Sequence, residues 1–288
     1  MTKKEDEPIS PGTGEKKNGT QAINRALDIL VSFNLAKPVW SATELSDHLG
    51  LTLPTTKRIL KALESEKILI QSKRTGPYEL GLRVFELGMV ASSRMPLLDQ
   101  TQEILVKLRE ETDETVHLAT VDGDDILYIK KIESPDVFGI TSPDGLRRPL
   151  ATGSLGKAIL STYPLPMLEA YFSRHKLIAF TPRSITDSKA YIDELMRVKQ
   201  QGFSIDQEEL IHGVCGVAAP IAEGERPAIG GIAVAFPSIR FDRNKILEWG
   251  QWVRQAGLTV AHRLAMMEDG YASPARANMT ADGGKRGY

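Results

Sequence analysis

The sequence predicts an α+β protein with two domains, on three observations. Its 288 residues, of which 41% are hydrophobic, are enough for two cores of ordinary size. Residues 20–81 show helical periodicity that ends in a short hairpin pattern, whereas residues 112–268 mix strand-like and helix-like runs. Between them, residues 82–111 have helical periodicity interrupted near Pro96. We therefore predict a helical N-terminal domain with a hairpin, a helical linker and a mixed C-terminal domain.

The composition excludes several classes of protein. The formal net charge is −1, so any nucleic-acid site must be a local patch of positive charge. The single cysteine, Cys215, cannot form an intrachain disulfide, which fits a reducing compartment. The charged residues 1–19 lack the apolar core of a signal peptide, and no apolar run approaches the ~18 residues of a membrane span. We expect a cytoplasmic protein without membrane association, with disordered tails at 1–19 and 269–288.

Start and stop signals place the first two helices. Thr20 is a candidate N-cap for the first helix, which Pro38 cannot continue. Ser41 and Glu44 are three residues apart, the spacing of a capping box at the start of the second helix. Gly50 is a typical C-terminal signal and supplies a tight link to the next helix.

A third helix and a hairpin complete this domain. The helix follows Thr52 and carries Pro54 in its first turn, where the missing N–H has no cost. The runs "KILIQ" and "YELG" are joined by "SKRTGP", in which Gly76 and Pro77 supply a turn. The order helix, helix, tight turn, helix, hairpin is that of a winged helix-turn-helix.

One face of the third helix carries hydroxyls and positive charge, with no acid before Glu64. A helix in a DNA major groove needs Lys or Arg for phosphates and guanine edges, and short hydroxyls near phosphates. The basic tip of the hairpin fits a wing that lies along a groove. The alternative is an ordinary solvated face with a polar turn. The predicted DNA-binding residues are Thr52, Thr55, Thr56, Lys57, Arg58, Lys61, Lys73 and Arg74.

Two segments of the C-terminal domain indicate a pocket. In "ATGSLGKA", residues 151–158, small side chains let the backbone approach a ligand, and the start of a helix offers N–H groups to an anion. The second segment is "DQEELIHGVCGVAAP", residues 206–220. His117, in "TVHLATV", is either a core residue or a pocket donor, and we favour the core.

An enzyme would use the second segment as a metal site or a Cys/His nucleophile pair. Asp206, Glu208 and His212 have no recognised ligand spacing, however, and no second histidine lies nearby in the sequence. Cys215 has no local signature of a catalytic thiol. We therefore predict no catalytic residue, no metal and no cofactor.

The sequence resembles the IclR family of bacterial transcriptional regulators over about residues 20–267. The resemblance rests on "AINRALDILVSF", on the run from "WSATELSDHLG" to "YELGLRVFELG", and on "TVHLATVDGDDILYIKKIES", "GLRRPLATGSLGKAIL" and "GFSIDQEELIHGVCGVAAPI". It implies a DNA-binding domain at 20–81, a helical linker at 82–111 and a GAF-like effector domain at 112–268. It also implies a dimer or dimer of dimers on palindromic double-stranded DNA operators.

The family's effector site can be carried over by position. Ser154 and Leu155 would offer backbone N–H groups, and Asp206 would form a polar wall. Where family members often have cysteine this chain has Gly216, and strand alternation sends the thiol one place earlier to the opposite face. On the strand "GGIAVAFP", Ala233 and Ala235 occupy positions where some family members have residues with hydroxyl groups. The implied effector-binding residues are Ser154, Leu155, Asp206, Cys215, Gly216, Ala233 and Ala235.

The resulting prediction is a ligand-responsive transcriptional regulator. The missing thiol and hydroxyls favour an effector less polar than a small 2-oxo acid, either an aromatic or an aliphatic carboxylate. Alternatively, the two alanines are ordinary core packing. The other functions considered are an enzyme that keeps a DNA-binding-like adaptor, and a protein–protein adaptor whose basic helix is an ordinary solvated face.

Overall fold

A computed structural model describes most of the chain, and the described residues form two compact units with their boundary between Arg94 and Met95. The described residues are 20–73, 75–136, 140 and 142–267. The predicted disordered tails at 1–19 and 269–288 lie outside this part of the chain. None of the described helices is both long and apolar enough to cross a membrane.

The N-terminal unit has the predicted order of helices and hairpin, with one addition. Its elements are α1 (Gln21–Ser32), β1 (Val39–Trp40), α2 (Ala42–His48), α3 (Leu53–Ser65), β2 (Leu69–Gln71), β3 (Tyr78–Leu80) and α4 (Leu82–Ser92). The strands form an antiparallel sheet in the order β1-β3-β2. The sequence did not predict β1, because a two-residue strand is too short to show alternation. The core contains Ile29, Phe33, Trp40, Leu45, Ile59, Leu60, Leu69 and Tyr78.

The capping box at α2 is confirmed. The Glu44 N–H donates to Ser41 Oγ at 3.2 Å, and the Ser41 N–H donates to the Glu44 carboxylate at 2.8 Å. These bonds and Lys37, whose Nζ lies 2.9 Å from the carboxylate, lower the pKa of Glu44 to about 2. Gly50 follows α2 with φ +62°, a backbone conformation that favours glycine. Thr20 is at the N-cap position of α1 but makes no side-chain cap bond.

The C-terminal unit is built on one six-stranded antiparallel sheet in the order β6-β5-β4-β9-β8-β7. Its strands are β4 (Thr115–Asp122), β5 (Asp125–Ile132), β6 (Arg147–Pro149), β7 (Ser204–Gln207), β8 (Val214–Ile221) and β9 (Gly230–Pro237). Its helices are α5 (Pro96–Thr112), α6 (Gly153–Leu160), α7 (Leu165–Arg174), α8 (Ser188–Gln201) and α9 (Arg243–Ala265). A 3-10 turn covers Ser238–Arg240. The sequence did not predict β6 or α7.

The two faces of this sheet pack against different helices, because successive side chains of a strand point to opposite faces. Val116, Val217 and Val234 belong to the core that α5 and α9 cover. Ala119 and Ala218 belong to the core on the other face, with residues of α6, α7 and α8. The candidate pocket lies on the second face.

The predicted linker at 82–111 is divided between the two units. Its first helix, α4, has no buried residue. Its second helix, α5, begins at Pro96 and buries Leu97, Leu105 and Leu108 in the C-terminal core.

Candidate functional sites

The basic face of α3 is exposed, as a DNA-binding surface requires. Lys57, Arg58 and Lys61 are exposed, and none of them forms an ion pair with another residue in the described part of the chain. Thr52 and Thr55 lie at the start of the helix, where their hydroxyl groups are 2.9 Å apart. The three positive charges are therefore available to phosphate groups.

One predicted DNA contact on α3 is wrong. Thr56 is fully buried, and its hydroxyl group donates to the Thr52 carbonyl at 3.2 Å. Thr56 precedes Ile59 and Leu60 by three and four residues, so it lies on the face of the helix that points to the core. That spacing was visible in the sequence.

The hairpin tip is described in part. Lys73 is exposed in the turn between β2 and β3. Arg74, the second predicted residue of the wing, lies outside the described residues.

The C-terminal unit has a cavity that brings together all seven residues of the implied effector site. The start of α6 and the strands β4, β5, β7, β8 and β9 contribute to its wall. The volume is about 50 Å³, several times what one water molecule needs. The lining residues are His117, Tyr128, Ile140, Ser142, Gly153, Ser154, Leu155, Asp206, Leu210, Ile211, Val214, Cys215, Gly216, Ala233 and Ala235.

Glycine allows α6 to begin directly against the sheet. A Cβ atom on Gly216 would lie 2.8 Å from Ser154 Oγ, too close for a real contact. The first helical hydrogen bond is donated by Gly156 to the Thr152 carbonyl at 3.1 Å. The N–H groups of Gly153, Ser154 and Leu155 precede that bond, so they have no partner within the helix. They give the cavity wall a partial positive charge.

Asp206 supplies a carboxyl group to the wall and is 6% exposed. Burial and the nearby charge of Glu209 raise the pKa of Asp206 to about 6. The Glu209 N–H donates to Asp206 Oδ1 at 2.6 Å. Lys157 of α6 is buried, donates to the Ile205 carbonyl and contacts the Glu209 carboxylate at 2.5 Å. These bonds connect α6 to the segment that carries Asp206.

His117 was expected in the core, but it lines this cavity and is only 3% exposed. Neither of its ring nitrogens has a hydrogen-bond partner among the described residues. Tyr128 contacts the ring edge-to-face, with the ring centroids 5.4 Å apart. Burial, aided by the charge of Lys131, lowers the pKa of His117 to about 4, so the ring is neutral at physiological pH. The sequence did contain a signal for this position. His117 alternates with Ala119 and Val121, whose side chains lie on the same face of the sheet as the cavity.

The thiol of Cys215 lies in the core on the opposite face of the sheet, as strand alternation predicted. Cys215 belongs to the cluster that contains Phe236 and Trp249. Burial raises the pKa of this thiol to about 11, so it is not a thiolate at neutral pH. As an effector-binding residue, Cys215 can therefore contribute only backbone groups.

The residues of the enzyme alternative do not converge on one centre. Glu208 accepts from the Gly213 N–H at 3.0 Å and lies 2.9 Å from His212 Nδ1, but the side chain of His212 is almost fully exposed. No group of three metal-ligating side chains occurs within the described residues.

The two units define a regulator with a helix-turn-helix DNA-binding domain and a separate domain with a pocket, and comparison with known proteins gives the same class. Residues 22–72 match the IclR helix-turn-helix domain, and residues 89–262 match the C-terminal domain of bacterial IclR transcriptional regulators. The second match covers more than half of the chain. The chain belongs to the IclR family, whose members are transcriptional regulators, not enzymes.

Relatives and solved structures match along most of their length. The chain is 28% identical to the HTH-type transcriptional regulator XynR of Escherichia coli K12, over 85% of this chain and 97% of that protein. It is 27% identical to the regulator BhcR of Paracoccus denitrificans, over 88% and 91% of the two chains.

Solved IclR structures share the fold. The IclR protein of Thermotoga maritima matches with a TM-score of 0.69 at 24% identity, over 85% of this chain and 99% of that one. An IclR homologue from Microbacterium hydrocarbonoxydans, solved with 4-hydroxybenzoate, matches with a TM-score of 0.75 at 18% identity, over 85% and 100%. The predicted fold class is thereby confirmed.

The raised pKa of Asp206 predicts how pH changes stability. The folded protein binds a proton at this carboxyl up to about pH 6, whereas the unfolded chain releases it near its ordinary value of 3.8. Between these values the folded state holds more protons, so this group makes the free energy of unfolding fall as pH rises. We expect Asp206→Asn to raise that free energy by about 1–3 kcal/mol at neutral pH and to leave it unchanged below about pH 4.

Denaturant unfolding at a series of pH values measures this effect. Asp193→Asn, at an exposed position of α8, is the matched control. Its free energy of unfolding should depend on pH in the same way as that of the wild type. Parallel curves for Asp206→Asn and wild type between about pH 4 and 7 would contradict the expectation.

Proposed function

We propose that this chain is a cytoplasmic, self-associating transcriptional regulator whose affinity for a palindromic operator is set by a small carboxylate bound in the C-terminal domain. The DNA-binding domain is assigned to residues 20–81, the connection to 82–111 and the effector domain to 112–268. The observation that carries the proposal is the pairing of an exposed basic helix in one unit with a cavity in the other.

DNA binding is assigned to Thr52, Thr55, Lys57, Arg58 and Lys61 of the α3 region, with Lys73 and Arg74 from the hairpin tip. The support is the exposure of the cations on α3 and the lack of acids beside them until Glu64. Phosphate neutralisation gives affinity, whereas a guanidinium group that reaches a guanine edge gives specificity. Arg58 is the candidate for the second role.

The effector is a short acid with an apolar body. Its carboxylate is placed at the free N–H groups of Gly153, Ser154 and Leu155, since the start of a helix stabilises an anion. Ala233 and Ala235 on β9 contribute methyl groups and no hydroxyl group to the wall. A cavity of about 50 Å³ favours an aliphatic acid over an aromatic one, because an empty site for a benzene ring takes about 150 Å³. The 4-hydroxybenzoate of the Microbacterium protein supports an organic acid as the ligand class.

Self-association is assigned to two apolar faces of the N-terminal unit. On α1, Ile23, Leu27 and Val31 are exposed at intervals of four residues. On α4, Phe85 and Met89 are exposed one turn apart. Exposed apolar faces of this kind mark interaction surfaces. Two copies would also double the number of phosphate contacts. A palindromic operator has two half-sites, and each half-site would bind one copy.

Regulation follows from thermodynamic linkage between effector binding and DNA binding. An effector that prefers one arrangement of the C-terminal domains shifts the population toward it, and the linker then changes the spacing of the two recognition helices. The effector and the operator therefore change each other's affinity by the same factor.

The first prediction of this proposal concerns Arg58. A salt titration compares binding to the DNA just upstream of the protein's own coding sequence with binding to random DNA. Wild type should prefer the upstream DNA and show a steep salt dependence. Arg58→Ala should lower the affinity for the upstream DNA by about 1–3 kcal/mol and reduce the preference for it over random DNA. Arg197→Ala, on α8 of the other unit and exposed, is the matched control. An unchanged preference for the upstream DNA in Arg58→Ala would refute the assignment.

The second prediction concerns the apolar faces. Placing a charge on a buried interface is costly, so Phe85→Glu should shift the protein toward the monomer in sedimentation equilibrium. Ile239→Glu introduces the same charge at a residue of the C-terminal unit that is 93% exposed, and should leave the mass unchanged. Identical masses for wild type and Phe85→Glu would exclude this surface.

The third prediction concerns the effector. Propionate and pyruvate differ only at the second carbon, where pyruvate has an oxo group. Because the wall has methyl groups at Ala233 and Ala235, calorimetry should show tighter binding of propionate and butyrate than of pyruvate and glyoxylate. Ala235→Ser should reduce the difference in affinity between the two groups of acids. Ala190→Ser, at an exposed position of α8, should leave that difference unchanged. Tight binding of pyruvate or glyoxylate alone would contradict this effector class.

A further inference from the structure

His117 is the one side chain of the cavity wall whose polar atoms are buried without a partner among the described residues. Native proteins pair nearly all such groups, because a buried polar group without a hydrogen bond destabilises the fold. An apolar residue at this position would avoid that cost. A ligand that enters the cavity and hydrogen-bonds the imidazole group would explain why histidine occupies this position.

The strand register shows where His117 lies relative to the anion-binding end of the cavity. On β9, Ala233 pairs with His117 of β4, and on β8, Gly216 faces Ser154 at the start of α6. Strands β8 and β4 are separated by β9, so they are about 10 Å apart at ordinary strand spacing. The imidazole ring and the start of α6 are thus at opposite ends of a space that a short acid can bridge.

The neighbours of His117 fix its orientation and its charge. Tyr128 packs against the ring with the two ring planes nearly perpendicular, and Ala233, the register partner of His117, adds a methyl group with no polar atom. Lys131, directly opposite on β5, adds a positive charge that disfavours the imidazolium form. A neutral ring cannot serve as the counter-ion of a carboxylate. It offers one N–H donor and one acceptor nitrogen.

We propose that His117 is the specificity-determining residue of this pocket, where it hydrogen-bonds a hydroxyl group at the end of the effector opposite the carboxylate. A hydroxyl group both donates and accepts, so it can pair with either tautomer of the ring. The effector is accordingly a short hydroxy acid with its hydroxyl group remote from the carboxylate. This inference rests on the proposed effector site, and it adds the chemistry of the ligand's second end.

The test uses three pairs of acids that differ only by a terminal hydroxyl group. They are 3-hydroxypropionate with propionate, 4-hydroxybutyrate with butyrate, and 4-hydroxybenzoate with benzoate. Calorimetry on the full chain should show that, in at least one pair, the hydroxy acid binds about tenfold tighter or more. His117→Phe keeps an aromatic ring beside Tyr128 and should reduce that preference to about twofold or less while the partner without the hydroxyl group still binds.

Thermal unfolding separates this role from a structural one. Because the ring nitrogens of His117 have no partner to lose within the described part of the chain, His117→Phe should have an unchanged or higher Tm. A histidine that supports the fold would instead lower the Tm and weaken all six acids together. His262→Phe, on the exposed side of α9, is the matched control and should keep the wild-type preference and Tm.

The outcomes distinguish this inference from the proposed function. Equal binding of both members in every pair, or a preference that survives in His117→Phe, would overturn the role of His117 and leave the carboxylate effector standing. A failure of all six acids to bind would overturn both the carboxylate effector and the hydroxyl contact. Loss of binding by His117→Phe together with a lowered Tm would assign His117 to the fold and overturn the proposal.

Discussion

The close approach of α6 to the sheet is the constraint on which the C-terminal unit depends. At Gly231 of β9, a Cβ atom would lie 3.0 Å from Leu155 Cδ2, and at Gly216 of β8 it would lie 2.8 Å from Ser154 Oγ. Because these positions lack side chains, the first turn of α6 can lie directly on the strands. Its free N–H groups then face a cavity that the strands complete. The proposed site for the effector carboxylate and the apolar wall both follow from this one packing arrangement.

The same helix brings a buried charge into the site. Lys157 is almost fully buried and lies 2.5 Å from the Glu209 carboxylate and 3.6 Å from that of Glu194. A buried ammonium group persists only when it is paired and hydrogen-bonded, so breaking the contact with Glu209 would leave the charge with only the longer contact to Glu194. Glu209 in turn holds Asp206 through its backbone N–H. The position of the pocket carboxyl is therefore coupled to the packing of α6.

The sequence predicts those features that depend on local periodicity and fails where the cause is tertiary. Side-chain chemistry alone gives the capping box at Ser41, and alternation alone places the thiol of Cys215 on the far face of the sheet. Thr56 was assigned to DNA because its hydroxyl group suits a phosphate, although its spacing from Leu60 places it in the core. No local pattern could show that the nitrogens of His117 lack partners among the residues that the structure describes, because their surroundings come from β5, β9 and α6. The short strands β1 and β6 exist only through pairing with distant strands.

Two of the energetic costs of folding the C-terminal unit lie at the cavity. Asp206 has a raised pKa, so its charged form is disfavoured, and His117 is buried without a hydrogen bond among the described residues. On the opposite face of the same sheet, apolar side chains such as Val217, Val234 and Phe236 pack without such penalties. A chain that leaves the ring nitrogens of His117 without partners among the described residues has stability to gain from a ligand that pairs with them. The physical imbalance between the two faces of one sheet is thus an independent reason to assign ligand binding to the face that α6 covers.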